Sequence, residues 1–142
     1  MSRSEDFQDF DETGSEPTIL IVEDEVLLRM ALADFLQECG YRVLQAGTAA
    51  EARAILSRHM TDIELVFTDV KMPGDMDGFG LANWVRAHHP GTPVFIASGY
   101  TGKNRMAHEL CAGEPFFAKP YDLDRLAAKI QDAVVERRRH IA

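Results

Sequence analysis

The chain has 142 residues, 46% of them hydrophobic, and a net charge of -8. That length fits one domain with a sizeable core, and the acidic balance argues against a nucleic-acid partner. No apolar stretch approaches the roughly 20 residues a membrane span needs. The acidic, polar N-terminus is no secretory signal. The two cysteines, Cys39 and Cys111, lack metal-ligand spacing and read as reduced thiols of a cytoplasmic protein.

The charge is uneven. Residues 1–17 carry Glu5, Asp6, Asp9, Asp11, Glu12 and Glu16 against Arg3, a balance of -5. Phe7 and Phe10 are almost their only apolar content, so residues 1–17 read as a mostly disordered tail before a domain spanning 18–142. A docking peptide is the second reading of a short acidic segment with two phenylalanines.

From Thr18 apolar runs alternate with helical periods. Ile19–Val22 is a continuous apolar run, suited to a strand buried on both faces. Leu28, Leu32, Phe35, Leu36 and Cys39 recur at helical spacing, and Gly40 is the stop. Arg42–Ala46 predicts a second strand. Thr48 and Glu51 form a capping box for a helix with Ala52, Ile55 and Leu56 on its apolar face. Leu65–Asp69 is the third strand. Gly78–His88 follows as a helix with Leu81, Ala82, Trp84 and Val85, broken by His89-Pro90-Gly91. Pro93–Ala97 predicts a fourth strand, residues 101–112 a weaker helix, and Phe116–Ala118 a short fifth strand. Asp122 caps a long helix with Leu123, Leu126, Ala127, Ile130 and Val134 inward, and Tyr121 with Leu126 fits a hydrophobic staple. Arg137-Arg138-Arg139-His140 reads as a solvated helix end, where cations suit the dipole.

Five βα units predict an α/β fold: a doubly wound parallel sheet with helices on both faces. Ligands of such sheets bind beyond the carboxyl ends of the strands. There the sequence places Glu23 and Asp24 after the first strand, Asp69 at the end of the third, Ser98 after the fourth and Lys119 after the fifth. Converging carboxylates make a pocket for a hard divalent cation and for phosphoryl chemistry. Their mutual repulsion raises some pKa values and costs stability without metal.

Four pieces, in order and at strand ends, resemble the receiver domain of two-component response regulators: Ile21-Val22-Glu23-Asp24, Asp69 with Met72-Pro73 and Asp77-Gly78, Ala97-Ser98-Gly99, and Lys119-Pro120. The resemblance runs from Thr18 to about Arg137. It implies a flavodoxin-like (βα)5 fold, strand order 2-1-3-4-5, with Asp69 accepting a phosphoryl group from a sensor histidine kinase or phosphotransfer protein. Magnesium, with manganese as a substitute, would be held by Asp24, Asp69, the backbone carbonyl of Lys71 and, directly or through water, Glu23. Lys119 and Ser98 would contact the phosphoryl group, Ser98 moving as a switch coupled to the aromatic Phe116.

Three departures from the family pattern stand out. The loop from Pro73 to Asp77 is one residue longer than the commonest form, and Gly74 is placed to absorb it. Phe116 stands where many receivers have tyrosine, which keeps bulk and loses a hydroxyl. Tyr100, two residues after Ser98, is a candidate for partner contacts or control of dephosphorylation. Residues 100–113 are expected to be the least rigid part of the body.

The chain ends soon after the last helix, so a stand-alone, bacterial, non-enzymatic response regulator is expected, monomeric or weakly dimeric. It would signal to an unknown downstream protein, with no DNA or membrane partner. A phosphorylation-independent adaptor or the receiver module of a hybrid kinase are the alternatives. A flavin-binding module is disfavoured because Glu23-Asp24-Glu25 would repel the FMN phosphate. An aspartyl phosphohydrolase is disfavoured because Lys71 occupies the usual general-acid position.

Overall fold

The computed structural model describes residues 16–59, 62–98, 116–119 and 122–141. In chain order these form β1 (Thr18–Val22), α1 (Val26–Glu38), β2 (Arg42–Ala46), α2 (Ala49–Arg58), β3 (Ile63–Asp69), α3 (Gly78–His88), β4 (Val94–Ser98), β5 (Phe116–Ala118) and α4 (Leu123–Ile141). The five strands make one parallel sheet, as the alternation of runs and helical periods predicts, in the order β2-β1-β3-β4-β5 that the resemblance implies. The expected helix at 101–112, Cys111, the mobility expected at 100–113 and the Tyr121 staple lie outside the described residues.

Strand β1 sorts its side chains between two cores. Ile19 and Ile21 pack with Leu32 and Leu36 of α1 and Leu126 and Ile130 of α4. Leu20 and Val22 pack with Ala52 and Leu56 of α2 and Leu81 and Val85 of α3. Successive strand residues point to opposite faces, so an unbroken apolar run is what a strand covered on both sides requires. Each such side chain contributes roughly 1.5–3 kcal/mol by leaving water. Cys39 and the predicted α4 residues Leu126, Ala127, Ile130 and Val134 are buried, whereas Leu123 is exposed. Leu123 opens the helix, ahead of the turn that meets the sheet.

Other expectations need adjustment. The tail reading stops short of Pro17: that residue is buried, and its carbonyl accepts from Arg42 N–H at 2.9 Å, so the β1–β2 pairing already includes it. β3 starts at Ile63, two residues early, and β4 is Val94–Ser98 rather than Pro93–Ala97. Proline has no N–H to give a ladder, which moves the start to Val94, and pairing of Ser98 with Ala118 carries the strand to Ser98. Thr48 accepts from Glu51 N–H at 3.1 Å as a capping box predicts, but Glu51 Oε1 returns to Gly47 N–H at 2.6 Å. Gly40 and Gly74 have φ of 101° and 105°, fitting their readings as helix stop and loop absorber. Trp84 is half-buried against the second core and stacks on His88 at 4.4 Å.

The basic end of α4 is not simply solvated. Thr18 pairs with Ile63 and Ile19 with Leu65, which leaves Glu64 as an extra residue in β3. Its buried carboxylate accepts from Arg138 Nε at 2.8 Å and from the other arm of the same guanidinium, with Arg137 Nη1 at 3.7 Å. Arg137 Nε also donates to Gly91 O at 3.2 Å. Arg139 alone of the three arginines stays well exposed, at 74%. The carboxylate of Glu64 holds the Arg138 guanidinium above its ordinary pKa. Glu64→Ala should cost about 2 kcal/mol, less than the roughly 3–5 of a fully buried pair because both groups retain some solvent. A urea midpoint that falls at constant slope would show it. An unchanged midpoint would make the pair ornamental.

Candidate functional site

Parallel strands all point their carboxyl ends to one rim, and the order β1-β3-β4-β5 sets four of those ends side by side. β1 delivers Glu23 and Asp24, β3 ends on Asp69, β4 on Ser98, and β5 is followed by Lys119. Backbone bonds fix each exit. Glu23 N–H donates to Ala46 O at 3.0 Å, Val70 N–H to Ala97 O at 2.9 Å, and Lys119 N–H to Ser98 O at 2.8 Å.

The side chains converge. Lys119 Nζ lies 2.9 Å from Asp69 Oδ1 and 3.1 Å from Glu23 Oε1. Glu23 Oε2 accepts from Glu25 N–H at 3.1 Å, which orients the carboxylate. Glu23 and Asp69 are buried at 3% and 7% exposure, while Asp24 is open to solvent. Ligand oxygens of Glu23, Asp24 and Asp69 all fall within 4.8 Å of one another. These residues, with Lys71, Met72 and Pro73, line an open cleft of about 500 Å³.

Burial pushes the Glu23 carboxyl above its ordinary pKa, with Asp69 adding repulsion against the lowering pull of Glu25 N–H and Lys119. Burial likewise raises Asp69, against the opposing bond and charge of Lys119. For Lys119, burial alone would lower the pKa, but its pairing with Asp69 and Glu23 outweighs burial and holds it above the usual value. One ammonium therefore does not fully compensate the two buried carboxylates beside it. An all-oxygen set carrying surplus negative charge, open to water on one side, is what Mg2+ favours. The residues present thus fit the ion.

Ser98 is buried at the rim, 5% exposed. Phe116 begins β5 opposite Ile96, its side chain lying outside the described residues, as does all of Tyr100. Three contributors escape sequence reasoning. Arg29 Nη1 donates to Glu23 O at 2.8 Å and so braces the β1 exit from α1. Thr68, fully buried, donates its hydroxyl to Asp69 O at 2.9 Å. Gly78 N–H donates to Val70 O at 2.8 Å, and a Cβ on Gly78 would sit 2.2 Å from Asp69 O. An arginine one turn into a helix carries no signal. Gly78 did stand in a quoted motif, but its reason, the close approach of α3 to the end of β3, shows only in three dimensions.

The family model for the response regulator receiver domain matches residues 19–131. The sensor kinase CckA of Brucella abortus is 36% identical over 117 residues, 81% of this chain and 12% of that protein. The C4-dicarboxylate transport regulator DctD of Rhizobium meliloti is 32% identical over 88% of this chain and 27% of its own length. The chain thus spans a minor part of these curated relatives. Among solved structures, the receiver domain of NtrX from Brucella abortus is 32% identical with a TM-score of 0.73, covering 82% of this chain and 97% of that one. A receiver domain from Clostridium thermocellum, 24% identical, superposes with a TM-score of 0.80 over 89% of this chain and 99% of its own, a likeness of fold. With the parallel sheet and the acidic rim already in place, these matches make the chain a member of the response regulator receiver domain family of two-component signalling.

Proposed function

We propose that this chain is a phosphoacceptor that takes a phosphoryl group onto Asp69 from a histidine of a sensor kinase or phosphotransfer protein. The observation that carries the reading is the clamp of Lys119 across Asp69 and Glu23 at the mouth of an open acidic cleft. An Asp69 carboxylate oxygen attacks phosphorus as the bond to the donor imidazole breaks, and that imidazole leaves with the electron pair. Such a transfer asks for positioning and charge neutralisation more than covalent help. Lys119 is placed to pass from Asp69 to a phosphoryl oxygen, and the Ser98 hydroxyl to meet the same group. Asp24, Glu23, Asp69 and the Lys71 carbonyl would hold Mg2+ or Mn2+, which when bound supplies positive charge facing the phosphoryl oxygens. Phe116 and Tyr100 remain the candidates for relaying the change.

The domain proper is read as 18–142 with Pro17 added at its start, and no helix among the described residues is long and apolar enough to cross a membrane. Val26, Leu27 and Met30 expose 52%, 78% and 51% of their surface on the first turns of α1, beside the cleft, and suit an apolar contact with the phosphodonor. Signalling as a single-domain regulator is the leading form. The similarity to part of a sensor kinase supports the receiver of a hybrid kinase as the second. Mapping tests the reading. After treatment with a small phosphodonor and Mg2+, borohydride reduction of an aspartyl phosphate should place homoserine at position 69. Its appearance at Asp24 or nowhere would contradict the assignment.

The raised carboxyl pKa values set a pH dependence. A group whose folded pKa exceeds its unfolded value supports stability fully below the unfolded pKa and loses that support as pH rises through the folded value. Metal-free protein should therefore lose stability as pH rises from about 4 through the raised values of Glu23 and Asp69. Mg2+ should reverse the trend, its affinity growing over the same window as protons leave its ligands. Melting temperatures with EDTA and with Mg2+, across pH, would show two curves that diverge upward in pH. Parallel curves would mean the carboxylates do not hold the ion.

A further inference from the structure

A second cleft, of about 400 Å³, opens at the opposite end of the sheet. Its floor is apolar, from Pro93, Val94 and Ala133, and Arg86, Arg137 and one acid, Glu136, flank it. Helices here run antiparallel to the strands, so the last turns of α3 and α4 lie at the rim where the strands begin. Arg42, Arg58, Arg86 and Arg139 are exposed at that rim, at the first or last turns of their elements. Arginines outnumber the acids Glu38, Asp62, Glu64 and Glu136 at this end, whereas Glu23, Asp24 and Asp69 gather at the other.

We infer that this basic cleft is the docking site of the chain's own acidic segment, with Phe10 on the apolar floor and Asp11 and Glu12 against Arg86 and Arg137. Residues 1–15 lie outside the described part, but their point of attachment does not. Glu16 and Pro17 lead into β1 at the basic rim, not the acidic one. β1 and β4 are two strand spacings apart, about 10 Å. The six steps from Phe10 to Glu16 span up to about 20 Å when extended, enough to reach the cleft without leaving the domain surface. Charge favours that end: a segment with a balance of -5 is attracted to the arginine rim and repelled by Glu23, Asp24 and Asp69. A phenylalanine between acids matches a cleft that is apolar below and carries two arginines to one acid at its edges. Tethering keeps the local concentration high, so modest contacts suffice. None of this depends on phosphoryl acceptance.

Amide NMR spectra of the full chain test it. In Phe10→Ala, and in wild type at high salt, which screens such pairs, the amides of Thr92, Val94 and 133–137 should shift together. Arg86→Glu should produce the same changes, since Arg86 is an exposed residue at the edge of the cleft. Adding Asp11→Arg and Glu12→Arg to Arg86→Glu should restore the wild-type positions. Shifts confined to residues 1–17 in Phe10→Ala would overturn the proposal. So would cleft shifts that vanish on dilution, which would place a second copy's segment there, and so would failure of the charge swap to restore them.

Discussion

Lys119→Ala should cost the metal-free protein about 2–3 kcal/mol at neutral pH, somewhat under the figure for a fully buried pair because the lysine side chain keeps 23% exposure. Glu23 and Asp69 would stay buried without their cation, and burial would push their carboxyl pKa values higher still. The sign of the pH effect follows. The penalty belongs to the ionised carboxylates, so it should shrink as pH falls and they protonate. Mg2+ should also shrink it by supplying the missing charge, and should bind the variant more tightly than wild type because no ammonium competes. Lys119→Met, which keeps the stem, should behave the same way. Urea midpoints at neutral and acidic pH, with and without Mg2+, separate the charge from the stem. A loss equal under all conditions, and absent in Lys119→Met, would assign the effect to packing.

Gly78→Ala should be at least as damaging, by about 3 kcal/mol or more, and for a different reason. The added Cβ would lie 2.2 Å from Asp69 O and 2.8 Å from Val70 Cα, both backbone atoms of the strand that carries the phosphoacceptor. Relief requires moving the start of α3 or the end of β3. The second shifts Asp69 away from Lys119, so Mg2+ affinity should fall with stability. Gly74→Ala is the control. Gly74 has φ +105° but nothing within 4 Å of a Cβ, so only backbone strain of about 1–2 kcal/mol applies, and the site should bind Mg2+ as before. Equal effects of the two substitutions on Mg2+ affinity would contradict the role given to the β3–α3 contact.

Strand ends were the legible part of this molecule. An apolar run stopping at Glu23-Asp24 or at Asp69 announces both a buried strand and the rim where its polar successors emerge. Parallel strands then put those residues on one rim, and the strand order implied by the family resemblance sets them side by side. The capping signals of Thr48 and Asp122 were equally local: their side chains accept from Glu51 N–H at 3.1 Å and Asp124 N–H at 2.9 Å. What the pattern concealed is long-range pairing. The arginines of α4 read as solvated because their partner, Glu64, lies 74 residues earlier in an irregular register. Period-two reasoning has no means of foreseeing that extra residue. Arg29 and Thr68 were missed likewise, since a side chain bracing a backbone carbonyl leaves no periodicity. Leu123 erred in the other direction, apolar and at helical spacing yet exposed at the helix start.

The central claim is that the rim assembles a phosphoryl-accepting site on Asp69. Intact mass after incubation with a small phosphodonor tests it most directly, comparing wild type with Asp69→Asn, each with Mg2+ and with EDTA. The account predicts one added phosphoryl group in wild type with Mg2+, and none in the variant or with EDTA. An added group in Asp69→Asn, or no addition in wild type under conditions where Mg2+ binds, would contradict it.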